Sequence, residues 1–205
     1  MLALLGGTFD PIHLGHLDLA RQIRDHFAFS EIAFVPAYQN PLKIEAPQAS
    51  AEQRLEMLRL AIAEEKEPRF RILDWEVRSP GPSYTIATVE KCLAQGWGPV
   101  TLVLGNEVFK RLNAWKEPQR LLEIAQVIVV TRKPSQGIEI PTALTLAGSQ
   151  PNITPFAMSP LPYSATALRK AWAEYWRSGD QASVPQGTSS SVQAYIKKNR
   201  IYAVT

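Results

Sequence analysis

The sequence predicts an α/β fold: a parallel, doubly wound sheet with helices on both faces and a small helical segment at the C-terminus. Three observations predict it. Short apolar runs of strand length alternate with longer stretches whose apolar residues recur every three or four positions. The runs lack the polar alternation of a half-exposed sheet, as strands buried on both faces do. Several of them stop at a glycine or proline, so the next loop leaves from the carboxyl end of a strand, where open α/β sheets bind ligands.

Leu2 to Leu5 is the first such run, ended by Gly6 and Gly7. Leu14, Leu17, Ala20, Ile23 and Phe27 then recur at helical spacing, with Arg21 and Arg24 on the other face. Ile32 to Val35 is a second strand closed by Pro36, and the polar, proline-marked stretch 37–48 is a loop. Ser50 with Gln53 forms a capping box ahead of a helix carrying Leu55, Leu58, Leu60 and Ile62. Phe70 to Leu73 is a third strand, and Ser79-Pro80-Gly81-Pro82 is a turn. Ser83 is the expected cap of a helix with apolar Ile86, Val89 and Leu93, ended by Gly96. Val100 to Leu104 is a fourth strand ending at Gly105, and one or two short helices fill 106–124, interrupted near Pro118. Val127 to Val130 is a fifth strand. Residues 133–155 read as irregular, with room for one or two short strands. Ser164 to Arg177 is a helix, 178–191 a polar loop, and Val192 to Lys198 a last helical turn or two. Strands alternating with helices call for right-handed crossovers in one sheet. A single domain over residues 1–205 is expected, with 155–205 as a helical cap over the ligand edge of the sheet.

Bulk composition excludes several classes. A hydrophobic share of 45% supports a packed core and argues against disorder. The net charge of +3 suits small anionic ligands and is too weak for a nucleic-acid-coating surface. The one cysteine, Cys92, rules out an internal disulfide framework and falls in an apolar helical pattern. The N-terminal apolar run is far too short for a membrane span and lacks a basic leader, so a soluble cytoplasmic protein without membrane partner is expected. A homo-oligomer is left open.

The stretch Gly6-Gly7-Thr8-Phe9-Asp10-Pro11-Ile12-His13-Leu14-Gly15-His16 carries the chemistry. The glycines let the backbone turn and approach a ligand, and Gly15 leaves room between the two histidines for a phosphate or ring. Amides at the strand–helix turn would face an anion. Two imidazoles on phosphate oxygens suit a transition state that gains charge. A histidine pair three apart is by itself an ordinary surface feature. No further cysteine or histidine stands near to complete a zinc site. The loop is not GxGxxG, and no GxxxxGK[S/T] occurs, which removes support from a dinucleotide dehydrogenase and a P-loop NTPase.

These residues resemble the signature of the bacterial nicotinate-nucleotide adenylyltransferases, HxGH nucleotidylyltransferases on a Rossmann-like sheet. Four further segments extend the resemblance nearly end to end. Residues 80–88, Pro-Gly-Pro-Ser-Tyr-Thr-Ile-Ala-Thr, are similar to the family's GPSYTxxT segment. Leu104-Gly105-Asn106-Glu107 with Trp115 is similar to its GxD and downstream tryptophan. Tyr163-Ser164-Ala165-Thr166-Ala167-Leu168-Arg169 is similar to its SxTxxR motif, and Val184-Pro185 with Val192 to Tyr202 to its closing segment.

The resemblance implies adenylyl transfer from ATP to nicotinate mononucleotide, giving deamido-NAD and pyrophosphate in NAD biosynthesis. Attack would be direct, without a covalent intermediate, with Mg²⁺ on the triphosphate and no protein metal site. It implies His13 and His16 as catalytic contacts to the ATP phosphates. Gly7, Thr8, Phe9, Gly105, Glu107, Ser164, Thr166 and Arg169 would bind ATP and its phosphates. Lys43, Tyr84, Thr85 and Trp115 would bind the mononucleotide, with Trp115 stacked on the pyridine ring. Read without the family, Ser164 is a helix cap, Trp115 a core aromatic and Lys43 a solvated loop lysine. The chain departs from the pattern at Asn40-Pro41-Leu42-Lys43, where the family has a histidine, at Asn106-Glu107, where Asp is usual at the second position, and at Ala87, where Asp is common. The same chemistry on nicotinamide mononucleotide or another phosphorylated acceptor, and a catalytically weak nucleotide-binding sensor, stay open beside it.

Overall fold

A computed structural model of the chain describes residues 1–43, 45–131, 152–159, 161–179 and 182–203. The strands are β1 (Leu2–Gly7), β2 (Glu31–Pro36), β3 (Phe70–Ile72), β4 (Val100–Gly105), β5 (Gln126–Thr131) and β6 (Ile153–Ala157). They form one sheet in the order β3-β2-β1-β4-β5-β6, and every neighbouring pair is parallel. Leu4 pairs with Ala33 of β2 on one side and Leu102 of β4 on the other. The chain direction across the sheet reverses at β1, which opens a crevice beyond the carboxyl ends of β1 and β4.

The helices are α1 (Leu14–Phe27), α2 (Ala51–Glu65), α3 (Thr85–Ala94), α4 (Asn106–Phe109), α5 (Pro118–Ile124), α6 (Ala165–Ser178) and α7 (Ser190–Lys198), with a 3₁₀ turn at Leu112–Ala114. Alternate strand residues feed two separate cores, because successive side chains on a strand point to opposite faces. Ala3, Leu5, Ile32, Phe34 and Val103 pack with α1, α2, α6 and α7. Leu2, Leu4, Ala33, Val35 and Leu102 pack with α3, α5 and the 106–115 segment. Cys92 is buried in the second core. Residues after 164 therefore do more than cover an edge: Trp172, Tyr175, Val192 and Ile196 belong to the same core as β1.

The five expected strands and the long helices occur within a residue or two of their expected bounds. Ser50 caps α2 as expected, with the Gln53 side chain reaching back to the Ser50 amide at 2.9 Å. One expectation changes and two sharpen. Ser83 does not cap α3; Tyr84 holds that position, and the Ser83 hydroxyl instead accepts from the Tyr38 amide at 2.9 Å. The expected break near Pro118 falls at residues 115–117, and Pro118 itself starts α5, at a position where its missing N–H costs nothing. Residues 153–157, the end of the stretch read as irregular, form β6. It is an edge strand, which tolerates Pro155 in its middle. The rest of that stretch, 133–151, lies outside the described residues. Among the described residues no helix is long and apolar enough to cross a membrane.

One carboxylate fastens the last helix to the body. Glu64, at the end of α2, accepts hydrogen bonds from the amides and hydroxyls of Ser190 and Ser191 at the N-terminus of α7. These bonds, the Ser191 hydroxyl foremost, hold its carboxyl near 2, below the ordinary 4.5. A carboxyl pKa lowered by folding adds stability above the unfolded pKa and loses it as pH falls through the folded one. Glu64→Gln is therefore expected to lower stability at pH 7 by about 1 kcal/mol, a cap-sized effect on an exposed group. The difference in urea midpoint from the parent should shrink as pH falls from 4.5 toward 2; a gap constant over that range would contradict the assignment.

Candidate active site

The site begins where β1 ends. Phe9 has a left-handed backbone, φ 49°, which a bulky residue holds only when packing demands it. Its ring is buried, edge-on to His16 at 5.1 Å. Gly7 makes this possible, since a Cβ there would come within 2.9 Å of the Phe9 ring. His13 then caps α1, and its ring stacks on that of His16 with centroids 3.6 Å apart. Gly15 does not leave space for a ligand as expected: that space holds the His13 ring, which a Cβ would approach to 3.0 Å.

The His13 amide donates to Nδ1 of His16 at 3.3 Å. A neutral His16 ring must then carry its proton on Nε2. His16 borders the open site, whereas His13 is buried behind it and its Nδ1 has no hydrogen-bond partner.

The loop is braced from three directions. Asp10 is buried and accepts from the amides of Gln48 and Ala49 at 2.9 and 3.1 Å and from the Tyr202 hydroxyl at 2.9 Å. Arg54, on α2 and also buried, donates to the carbonyls of Thr8, Ala37 and Tyr38. Arg169 on α6 donates to the Asp10 carbonyl at 2.9 Å and to the Thr166 hydroxyl at 3.4 Å.

Two cavities open on this loop and meet at Thr8, His16, Leu42 and Lys43. The smaller, about 300 Å³, has an apolar floor of Leu4, Val35, Leu102 and Leu104 from β1, β2 and β4. Tyr84, Thr85, Trp115, Lys116, Ser83, Thr88 and Glu76 form its walls. The larger, about 570 Å³, is bordered by Phe9, Asp10, Thr166, Arg169 and Arg111. Lys43 stands at the junction and donates to the Thr8 hydroxyl at 2.9 Å.

The structure thus brings together Gly7, Thr8, Phe9, His16, Lys43, Tyr84, Thr85, Trp115, Thr166 and Arg169, all of them residues singled out by sequence. Others lie apart. Ser164 caps α6 through the Ala167 amide at 3.2 Å and borders neither cavity. Gly105 and Glu107 lie at the carboxyl end of β4 outside both cavities, and Glu107 pairs with Lys110 at 3.3 Å. Sequence reading missed Asp10 and Arg54, Glu76 and Lys116 in the smaller cavity, and Arg111 in the larger. Asp10 was inside the quoted motif, which was the available signal; the others stand in helical or loop stretches with no motif of their own.

A cytidylyltransferase-like family model matches residues 4–171. The "probable nicotinate-nucleotide adenylyltransferase" of Roseiflexus sp. is 35% identical over 98% of this chain and 97% of its own length. That of Aquifex aeolicus is 46% identical over 65% of this chain and 78% of its own. The chain belongs to the nicotinate-nucleotide adenylyltransferase family. It is a nucleotidyltransferase by that membership. The fold agrees: a Plasmodium falciparum nicotinic acid mononucleotide adenylyltransferase, solved with NaAD, superposes with a TM-score of 0.71 at 17% identity, covering 98% of this chain and 96% of that one.

Burial disfavours the charged form of both histidines. Burial lowers His13 from 6.5 to about 4. Burial lowers His16 well below its usual value, with His13 and Lys43 adding to the effect. Burial also lowers Lys43, helped by Arg169 and Arg54 and opposed by Asp10. In the smaller cavity burial raises the Glu76 carboxyl, against the hydrogen bonds it accepts from Thr88, at 2.6 Å, and Ser83.

A histidine pKa lowered by folding means that the unfolded chain takes up the proton first. Stability is then expected to fall as pH drops from 6.5 toward 4. An NMR titration of the free protein should show the His13 ring titrating near 4; a midpoint at the ordinary 6.5 would mean the stacked pair is not desolvated.

Proposed function

We propose that this chain transfers the adenylyl group of ATP to nicotinate mononucleotide, releasing pyrophosphate and forming deamido-NAD for NAD biosynthesis. The observation that carries the reading is the meeting of a flat, partly apolar cavity and a cation-lined cavity at Thr8, His16 and Lys43. The ring of the mononucleotide lies in the first, against Trp115 and beside Tyr84 and Thr85. Its 5′-phosphate reaches the junction. The triphosphate lies in the second, so the α-phosphorus meets the incoming phosphate oxygen at His16.

The acceptor oxygen attacks the α-phosphorus in line, and the bond to the β-phosphate oxygen breaks with its electron pair leaving on pyrophosphate. No protein nucleophile enters the step. Catalysis is positioning and charge stabilisation. His16 donates from Nε2 to the transferred phosphate, and His13 supports it through the ring stack and its backbone amide. Thr8 and the amides of Gly7 and Phe9 hold the phosphates. Arg169 and Thr166 take the leaving group, with Ser164 ordering the N-terminus of α6 that carries them. Gly105 and Glu107 belong to the nucleoside side of ATP. Mg²⁺ would be carried by the triphosphate, whose hard oxygens suit it, and would supply charge neutralisation there. Asp10 already accepts three hydrogen bonds, which leaves the ion to the phosphates. The reading includes a cytoplasmic location and one working domain over residues 1–205.

Lys116, whose ammonium lies 4.8 Å from the Tyr84 ring centroid, supplies a cation for the nicotinate carboxylate. Glu76 favours a second reading, since a carboxyl in the ring cavity would accept the N–H of a carboxamide. The test is to mix the protein with ATP, Mg²⁺ and either mononucleotide and follow pyrophosphate. Nicotinate mononucleotide is expected to be preferred. Preference for the amide would select the second reading, and ATP binding without pyrophosphate from any acceptor would leave a sensor.

His16→Ala is expected to cut kcat by about a hundred- to a thousand-fold, the loss that follows removal of one transition-state donor, with a smaller change in ATP affinity. Single-turnover rates alongside ATP titration check this, and a near-normal rate would remove His16 from the chemistry.

A further inference from the structure

The larger cavity has a third cation besides Lys43 and Arg169. Arg111 lies between α4 and the 3₁₀ turn, on a different wall from α6. Lys43 is engaged by Thr8, and Arg169 by the Asp10 carbonyl and Thr166. Arg111 makes no side-chain hydrogen bond or ion pair with any described residue. Two acids of the same stretch pair with other cations, Glu107 with Lys110 and Glu123 with Arg120. Its backbone is nonetheless firmly placed, because Phe109 and Leu112 on either side are both fully buried. A solvated surface arginine needs neither a cavity nor a fixed base, and this one has both.

Its place in the reaction follows from the geometry and rests on the function proposed above. The ring cavity occupies one side of the junction at Thr8 and His16, so the β- and γ-phosphates extend to the other, where Arg111 stands. We infer that Arg111 binds the β- and γ-phosphates of ATP and the departing pyrophosphate, as the counterpart of Arg169 from another wall. When the bond between the α-phosphorus and the bridging oxygen breaks, the electron pair and the negative charge go to pyrophosphate. A planar guanidinium meets two phosphate oxygens at once and needs no proton transfer. The same short segment carries Val108 and Trp115 on the ring cavity and Arg111 on the phosphate cavity. One turn therefore grips both substrates.

The test compares the parent with Arg111→Ala, Arg111→Gln and Arg111→Lys. Calorimetric titration with Mg²⁺-pyrophosphate needs no acceptor and no turnover. Arg111→Ala and Arg111→Gln should weaken pyrophosphate binding by about ten-fold or more, and Arg111→Lys should recover part of it, since a lysine lacks the fork. KM for ATP should rise in step, while the mononucleotide, titrated alone, binds as in the parent. Pyrophosphate affinity within about two-fold of the parent in both neutral variants would overturn the inference. So would a rise in mononucleotide Kd with pyrophosphate unchanged, which would put Arg111 on the acceptor phosphate. Failure of the reaction itself reads differently: the parent would release no pyrophosphate with any mononucleotide, whatever the variants do in the binding titration. Unfolding midpoints of the variants should match the parent, because the side chain is exposed and unpartnered.

Discussion

The buried carboxylate of Asp10 holds the site together. It joins three parts of the chain: its own loop, the amides of Gln48 and Ala49 just before α2, and the hydroxyl of Tyr202 near the C-terminus. A buried carboxyl is tolerated only when its lone pairs are met, and leaving one such buried group without a hydrogen-bond partner costs roughly 1–3 kcal/mol. Burial and the neighbouring Asp10 push the Tyr202 hydroxyl far up, so it stays a donor. Arg54 supplies the opposite charge close by and spends its donors on three backbone carbonyls. The loop after β1 is thus shaped by side chains from α2 and from the last residues of the chain, and not by its own sequence alone.

That bracing explains the strained features of the loop. A phenylalanine at φ 49° and a buried imidazole nitrogen without a partner are each unfavourable by themselves. They persist because Asp10 and Arg54 fix both ends of the segment and because the carbonyl of Gly187 accepts the Leu14 amide at 2.8 Å, capping α1 from outside. In the proposed reaction this makes the loop a phosphate site assembled before any phosphate arrives. Preorganised donors of this kind need no reorganisation as charge develops.

What could be read in the sequence follows the range of the interactions. The period of apolar residues gave α1 its bounds at Leu14 and Phe27, and a local pairing gave the Ser50 capping box. The parallel sheet followed from uninterrupted apolar runs. The braces were not legible, since Tyr202 is 192 residues from Asp10 and no pattern marks such a pair. Arg54 is hidden for a related reason: a basic residue on a helix reads as solvent-facing until the fold brings three carbonyls to it. The sequence allows for a short strand near 155 but does not place it, because Pro155 argues against a strand unless the strand is known to be an edge. Ser83 was misread because a serine before a helix usually caps it, and here the Tyr38 amide, brought in by the loop after β2, competes for the hydroxyl.

The distribution of charge within the site has its own logic. Three cations, Lys43, Arg111 and Arg169, border the larger cavity, and Lys43 shares its junction with the ring cavity with the His16 ring and the hydroxyl of Thr8. A fixed cation such as Lys43 holds bound ATP and the transition state alike, and binding the ground state equally well does not speed the step. A neutral Nε2–H does better there, because its hydrogen bond strengthens as negative charge builds on the transferred phosphate. The stack on His13 opposes a charge on His16, since a proton on either of two rings 3.6 Å apart in a desolvated site disfavours one on the other. In the proposed reaction the tasks divide accordingly: Arg111 and Arg169 hold the triphosphate away from the junction, Lys43 meets it there, and the imidazole N–H acts where the bond changes.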